Sequence, residues 1–268
     1  MKRAFMPSLF KNKRPRTVNN SSAGASGRKQ LNKGETSGDE DLSNLPSDTK
    51  AALAYLRSLF DIRHFEGRIP PILLKHQLYS IIQNKTQVDR EVDQLRDKKE
   101  IRLFRYGNSK DVDEFCIVFS DDYLSHVRKT ANQQGISDLI DRFVPEILEK
   151  MNNITFTRQM LCDVHRFKDK EITMLVNAGM LTVRDVGSWW LSIPGAGIFM
   201  KNFSKGRQSV LRAIKKSKYR EILQKELEQR KLQGVQKLSM MYHIHDIIGA
   251  ELVTKIKTTS GIILRLDE

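Results

Sequence analysis

The sequence predicts a mainly helical α+β fold, with three tandem helix-and-hairpin domains behind a disordered basic N-terminal tail. Three observations predict it. The first 47 residues are rich in Ser, Gly, Asn, Lys and Arg and show no apolar period. From Ser47 onward, an amphipathic helix leading into two alternating strands across a tight turn occurs three times. The first strands of these copies begin near residues 101, 181 and 253, spacings of 80 and 72. Two or three helices closed by a β-hairpin is the layout of a winged helix, and those spacings suit one each. The predicted domains are 48–120, 121–194 and 195–268. Cores of that size are modest, so the three are expected to pack against one another. The competing arrangement is a single α+β domain with three unrelated hairpins.

Taken in order, residues 1–47 bury too little apolar surface to offset backbone ordering and are expected to be disordered. In the first unit, helices are predicted over Thr49–Asp61 and Pro71–Ile82, with Pro71 at a helix start where its missing N–H does no harm. Val88, Val92 and Leu95 then recur at helical spacing in Val88–Lys99. Ile101–Tyr106 and Phe115–Phe119 alternate as strands around Gly107-Asn108-Ser109. In the second unit, helices over Asp121–Asn132, Ile136–Met151 and Arg158–Val164 lead into Asp169–Ala178, closed by Gly179. Leu181–Arg184 and Trp189–Ile193 flank the turn Asp185-Val186-Gly187-Ser188. In the third, Ala196–Ser217, Lys218–Arg230 and Tyr242–Leu252 are the predicted helices. Val253–Lys257 and Ile262–Leu266 flank Thr258-Thr259-Ser260-Gly261.

The net charge of +14 is confined to two stretches. Residues 1–47 hold nine Lys and Arg against four acids, and residues 195–237 hold twelve against three; the rest is neutral. A polycation on a neutral body binds polyanions by releasing counterions. At 100° per residue, Lys201, Lys205, Arg212, Lys215 and Lys216 share an arc of about 100° on Ile198–Ser217. Phe199, Phe203, Val210 and Ile214 lie opposite. Arg207, Lys218, Arg220, Arg230 and Lys231 extend the charge on flanking faces, and Gly206 is a point where the helix is expected to break or bend. Such contacts hold a duplex without reading its sequence. No base-reading helix stands out, since Val88–Lys99 and Asp169–Ala178 are charge-mixed. In the tail, Lys11, Lys13, Arg14 and Arg16 form a basic cluster of the kind read by nuclear import receptors, so a nuclear location is expected.

Other chemistry is absent from the sequence. No apolar run approaches the ~18 residues of a membrane span, and the first residues lack the apolar core of a secretory signal. Cys116 and Cys162 sit in apolar-patterned segments and read as small buried side chains. Kinase motifs fail to assemble. Gly195-Ala196-Gly197 lacks a third glycine, Phe167 follows His165-Arg166 where a catalytic Asp belongs, and Asp185-Val186-Gly187 occupies a hairpin turn. His243 and His245 fall on different sides of a helix with no third ligand at zinc spacing, so no metal or other cofactor is expected. Of the adjacent Trp189 and Trp190, alternation sends one to the core and the other to the surface.

The chain also resembles a known family. The runs that carry the likeness are Glu171-Ile172-Thr173-Met174-Leu175-Val176-Asn177-Ala178-Gly179, Leu181–Asp185, Gly187-Ser188-Trp189-Trp190-Leu191 and Pro194–Gly197. Lys205-Gly206-Arg207-Gln208, Lys218-Tyr219-Arg220-Glu221, Tyr242–Asp246 and Thr258–Gly261 complete it. These resemble the serine/threonine-protein kinase 19 family, understood as winged-helix repair factors despite the label, with the likeness extending over residues 48–268. The resemblance implies three winged helices, a nuclear location, binding of double-stranded DNA and no kinase activity. It further implies a part in transcription-coupled nucleotide excision repair, joining the complex at stalled RNA polymerase II and helping position TFIIH on DNA. Family DNA-contact positions fall on Lys201, Lys215, Lys218 and Arg230; relatives carry Arg in place of Lys215, which changes the grip on phosphate but not the charge. RNA as a ligand, a homodimer on DNA and a pure protein adaptor whose cations meet an acidic partner are left open.

Overall fold

In a computed structural model the described residues are 47–106 and 114–266. The import cluster of Lys11, Lys13, Arg14 and Arg16, and the turn Gly107-Asn108-Ser109, lie outside them. Three three-stranded antiparallel sheets follow one another along the chain, each with its last strand in the centre. In the first unit α1 (Asp48–Ser58) is followed by β1 (Leu73–Leu74), a tight turn of helix at Lys75–Ser80, α2 (Lys85–Asp97), β2 (Ile101–Arg105) and β3 (Phe115–Phe119). The second runs α3 (Ser120–Gln134), α4 (Ser137–Phe143), β4 (Thr155–Thr157), a π turn at Gln159–Val164, α5 (Asp169–Asn177), β5 (Leu181–Asp185) and β6 (Ser188–Leu191). The third runs α6 (Ala196–Lys215), β7 (Glu221–Leu223), α7 (Gln224–Gln229), α8 (Met240–Gly249), β8 (Thr254–Thr258) and β9 (Gly261–Arg265).

Local chemistry accounts for the boundaries. The side chains of Ser47, Asn84 and Ser239 accept from the N–H of Lys50, Gln87 and Tyr242, capping α1, α2 and α8; an uncapped helix leaves those donors unpaired. The three hairpins match the alternating segments. Two expectations fail. Pro71 does not open a helix: the buried run around it leads into β1, whose Leu73 and Leu74 pair with Ile117 and Cys116. Lys218–Arg230 is not one helix either. Glu221–Leu223 pairs with Ile263–Arg265 as β7, and only Gln224–Gln229 is helical. Each sheet thus gains a short first strand that is too brief to alternate visibly.

One apolar core runs through all three units. Phe60, Phe65 and Phe104 of the first, Tyr123, Phe156 and Leu191 of the second, and Phe199, Phe203 and Tyr242 of the third belong to one buried cluster. Smaller clusters complete the first and third units, and the described residues form one compact body. Of the two cysteines, Cys116 is buried, with its thiol pushed up to about 12 by burial, whereas Cys162 is only half-buried.

Candidate nucleic-acid interface

Helix α6 spans 20 residues without interruption. Its inner face is set by Phe199, Phe203, Val210, Ala213 and Ile214, all buried. The opposite face presents Lys201, Lys205, Arg212, Lys215 and Lys216 to solvent. At 1.5 Å per residue the row from Lys201 to Lys216 is about 22 Å long, roughly two thirds of a duplex turn. The four lysines have no carboxylate partner among the described residues. Arg212 donates only to the neutral Gln208 Oε1, at 3.3 Å. Five cations therefore stand in one line with their charge uncompensated.

Gly206 lies within this helix and does not break it. A Cβ there would fall 2.1 Å from His243 Nε2, so the missing side chain is what lets α8 lie against α6. The segment after α7 is laid along α6 as well, since a Cβ on Gly234 would fall 2.8 Å from the Lys205 carbonyl oxygen. Arg230 and Lys231, at the start of that segment, are exposed. Arg230 donates to Glu226 Oε1 at 2.6 Å, which neutralises part of its charge. Beyond the C-terminus of α6, Lys218 is exposed, with its ammonium 4.9 Å from the centre of the Tyr219 ring.

Arg207 does not belong to this surface. Its guanidinium donates to Asp246 Oδ2 at 2.8 Å and Oδ1 at 2.6 Å and stacks over Phe203 at 4.5 Å. The Asp246 carboxylate is fully buried and also takes a hydrogen bond from His76 Nε2 at 2.7 Å. Burial opposes its ionisation, but the bonds from Arg207 and His76 outweigh that and hold the carboxyl below the usual range. Arg207 is a structural cation, tied to α8 and through it to the first unit.

Helix α8 itself is closed to any groove. It packs on the Lys75–Ser80 turn, where Gln77 donates to the Tyr242 carbonyl at 2.9 Å and Tyr242 donates to the Ile72 carbonyl at 2.7 Å. His245 Nδ1 meets Ser80 Oγ at 2.7 Å, and Nε2 meets Tyr55 Oη at 3.3 Å. The third helix of a DNA-reading helix-turn-helix domain must be free to enter the major groove. Here that position is spent on packing, which leaves α6 as the longest exposed cationic element of the third unit, beside the shorter β8 with its exposed Lys255 and Lys257. His243 and His245 are thereby engaged in packing, and among the described residues no group of three or more His, Cys, Asp or Glu could hold a metal. Sequence reasoning missed that Trp190 is clasped between the guanidiniums of Arg105, at 5.0 Å, and Arg184, at 4.6 Å. Trp189 packs on the core.

The fold is therefore a chain of repeated helix-and-hairpin units that share one core and carry a row of unpaired cations on one helix. A family profile described as inactive serine-threonine protein kinase 19 matches residues 42–266. The chain is 43% identical over 223 residues to Winged helix repair factor 1 of Homo sapiens, covering 83% of this chain and 87% of that protein. It is 43% identical to Winged helix repair factor 1 of Xenopus laevis, over 82% of this chain and 84% of that one. The Serine/threonine-protein kinase mug51 of Schizosaccharomyces pombe is 26% identical, over 75% and 68% respectively. The chain belongs to the inactive serine/threonine-protein kinase 19 family.

Proposed function

We propose that this chain is a non-catalytic DNA-binding scaffold of three winged helices acting in DNA repair. The observation that carries the reading is the α6 row of exposed, uncompensated cations backed by a buried apolar face. Phosphates replace the counterions of such a row and hold the duplex without selecting its sequence. Lys201, Lys205, Arg212, Lys215, Lys216 and Lys218 are the proposed contacts, with Arg230 at the edge. The name of the relatives, winged helix repair factor, supports the repair role. The finer assignment is transcription-coupled nucleotide excision repair in the nucleus, at stalled RNA polymerase II with TFIIH. It rests on the family resemblance and on the basic cluster Lys11–Arg16. Partner docking falls in this reading to the second unit, whose hairpin exposes Val183 and Val186.

Changing Lys201, Lys215 and Lys218 together to Glu is expected to abolish duplex binding in an anisotropy titration while leaving thermal unfolding nearly unchanged, because all three side chains are exposed. Wild-type affinity should fall steeply with salt, and each lysine replaced singly should lower the slope of log K against log salt by about 1. Retention of affinity by the triple variant at moderate salt would refute the surface.

A further inference from the structure

The segment between α6 and β7 holds a backbone that its own sequence disfavours. Tyr219 has φ 59° and ψ 17°, and Arg220 has φ 55°, so two successive residues with side chains occupy the left-handed region. Residues other than glycine avoid that region because Cβ crowds the following carbonyl oxygen, and such conformations persist where the surroundings over-determine them. Two hydrogen bonds anchor it: Arg220 N–H donates to the Ser217 carbonyl at 3.0 Å, and its own carbonyl accepts from Leu266 N–H at 3.1 Å. Those bonds fix the backbone but do nothing for the Tyr219 ring, which is 76% exposed. The ring stands directly after the cationic row, between the exposed Lys218 and Arg220. Burial inside the protein gives the ring no reason to be there, and a glycine would occupy this backbone without strain.

Resting on the duplex-binding reading above, we propose that Tyr219 is a contact residue for double-stranded DNA. Its ring packs against the deoxyribose at the lip of a groove while Lys218 takes the adjacent phosphate. Contact with the sugar tolerates any sequence, because every nucleotide offers the same deoxyribose. It releases no counterion, so it differs from the lysine contacts in a way an experiment can read.

The test titrates a short fluorescein-labelled random-sequence DNA duplex with the full chain over a salt series, using Y219A, Y219F and Y219G beside the wild type. Y219A is expected to weaken binding about five-fold, the effect of partly burying an aromatic ring, by the same factor at every salt concentration. Y219F should bind as the wild type does, since the ring and not the hydroxyl makes the contact. Y219G should bind as weakly as Y219A while unfolding a few degrees higher, because glycine relieves the strained backbone. Wild-type affinity in Y219A, alongside lost binding in the Lys201, Lys215 and Lys218 triple variant, would overturn the Tyr219 contact and leave the cationic surface standing. A changed salt slope in Y219A would also overturn it, showing that the ring only positions Lys218. Equal binding by the wild type and the triple variant would bring down the duplex-binding reading itself.

Discussion

His243 is buried with both ring nitrogens unpartnered, its ring stacked at 6.0 Å from Phe203 and pressed onto Gly206. Burial pushes its pKa down to about 4, and burial together with the Lys255 charge does the same for His245. Between about pH 6.5 and 4 the unfolded chain therefore binds more protons than the folded one. Stability must fall as pH drops through that window, by roughly 3 kcal/mol per ring at its acid end. Asp246 acts lower: its depressed carboxyl contributes above the usual carboxylate pKa and is lost only below it. His126 is depressed by burial in the same direction, so His243→Leu, close in volume and without a titrating group, is expected to remove part of the decline in melting temperature between pH 7 and pH 5 and not all of it. Parallel melting curves for variant and wild type would show that the ring's protonation is not coupled to folding. Little of this was legible in the sequence. The lysines of α6 were, because a charged residue's face follows from its position on the helix. The role of Arg207 was not, because its partner Asp246 is 39 residues away on a different helix.

Helix α6 shows how one residue type carries opposite readings at the scale of an element. Glycine inside a helix suggests a break, and Gly206→Ala on propensity alone should stabilise by up to about 1 kcal/mol. The close approach of His243 reverses the sign. A methyl 2.1 Å from the ring forces α8 away from α6, and overpacking of that kind costs about 1–3 kcal/mol. Chemical denaturation of Gly206→Ala should show a net loss of stability; a gain would mean the two helices can slide apart freely. The hairpin strands were readable since short runs rich in β-branched, aromatic and aliphatic residues flank turn signals. The first strand of each sheet was not, because two or three residues have no period and their strand character comes from pairing with β3, β6 and β9. Lys218–Arg230 misled for a related reason: it is rich in Lys, Glu, Gln and Leu, strong helix formers, yet pairing with β9 overrides that preference at Glu221–Leu223.

At the scale of the molecule, the repetition of helix and hairpin was visible in the sequence, but the sharing of one core was not, since nothing local says which face of a unit meets its neighbour. That sharing decides how the cationic surface is maintained. Phe199, Phe203 and Tyr242 of the third unit are almost fully buried, and Phe60 of the first lies 6.3 Å from Phe199 and 6.1 Å from Tyr242. Cutting the chain before residue 195 would return much of those three rings to water. Full exposure costs about 1.5–3 kcal/mol for each, together comparable with the whole stability of a typical domain. It would also strip Asp246 of His76 and leave the α8 face without the Lys75–Ser80 turn it packs against. A fragment of residues 195–268 is therefore expected to lack cooperative thermal unfolding and to lose the ordered cationic row, although it keeps every proposed DNA-contacting lysine. The chain from residue 48 to 268, which retains the shared core, should unfold in a single transition. Circular dichroism melts of the two chains decide the matter: a sharp transition in the short fragment would show that the third unit is an autonomous domain and that its contacts with the first are incidental to the surface it presents.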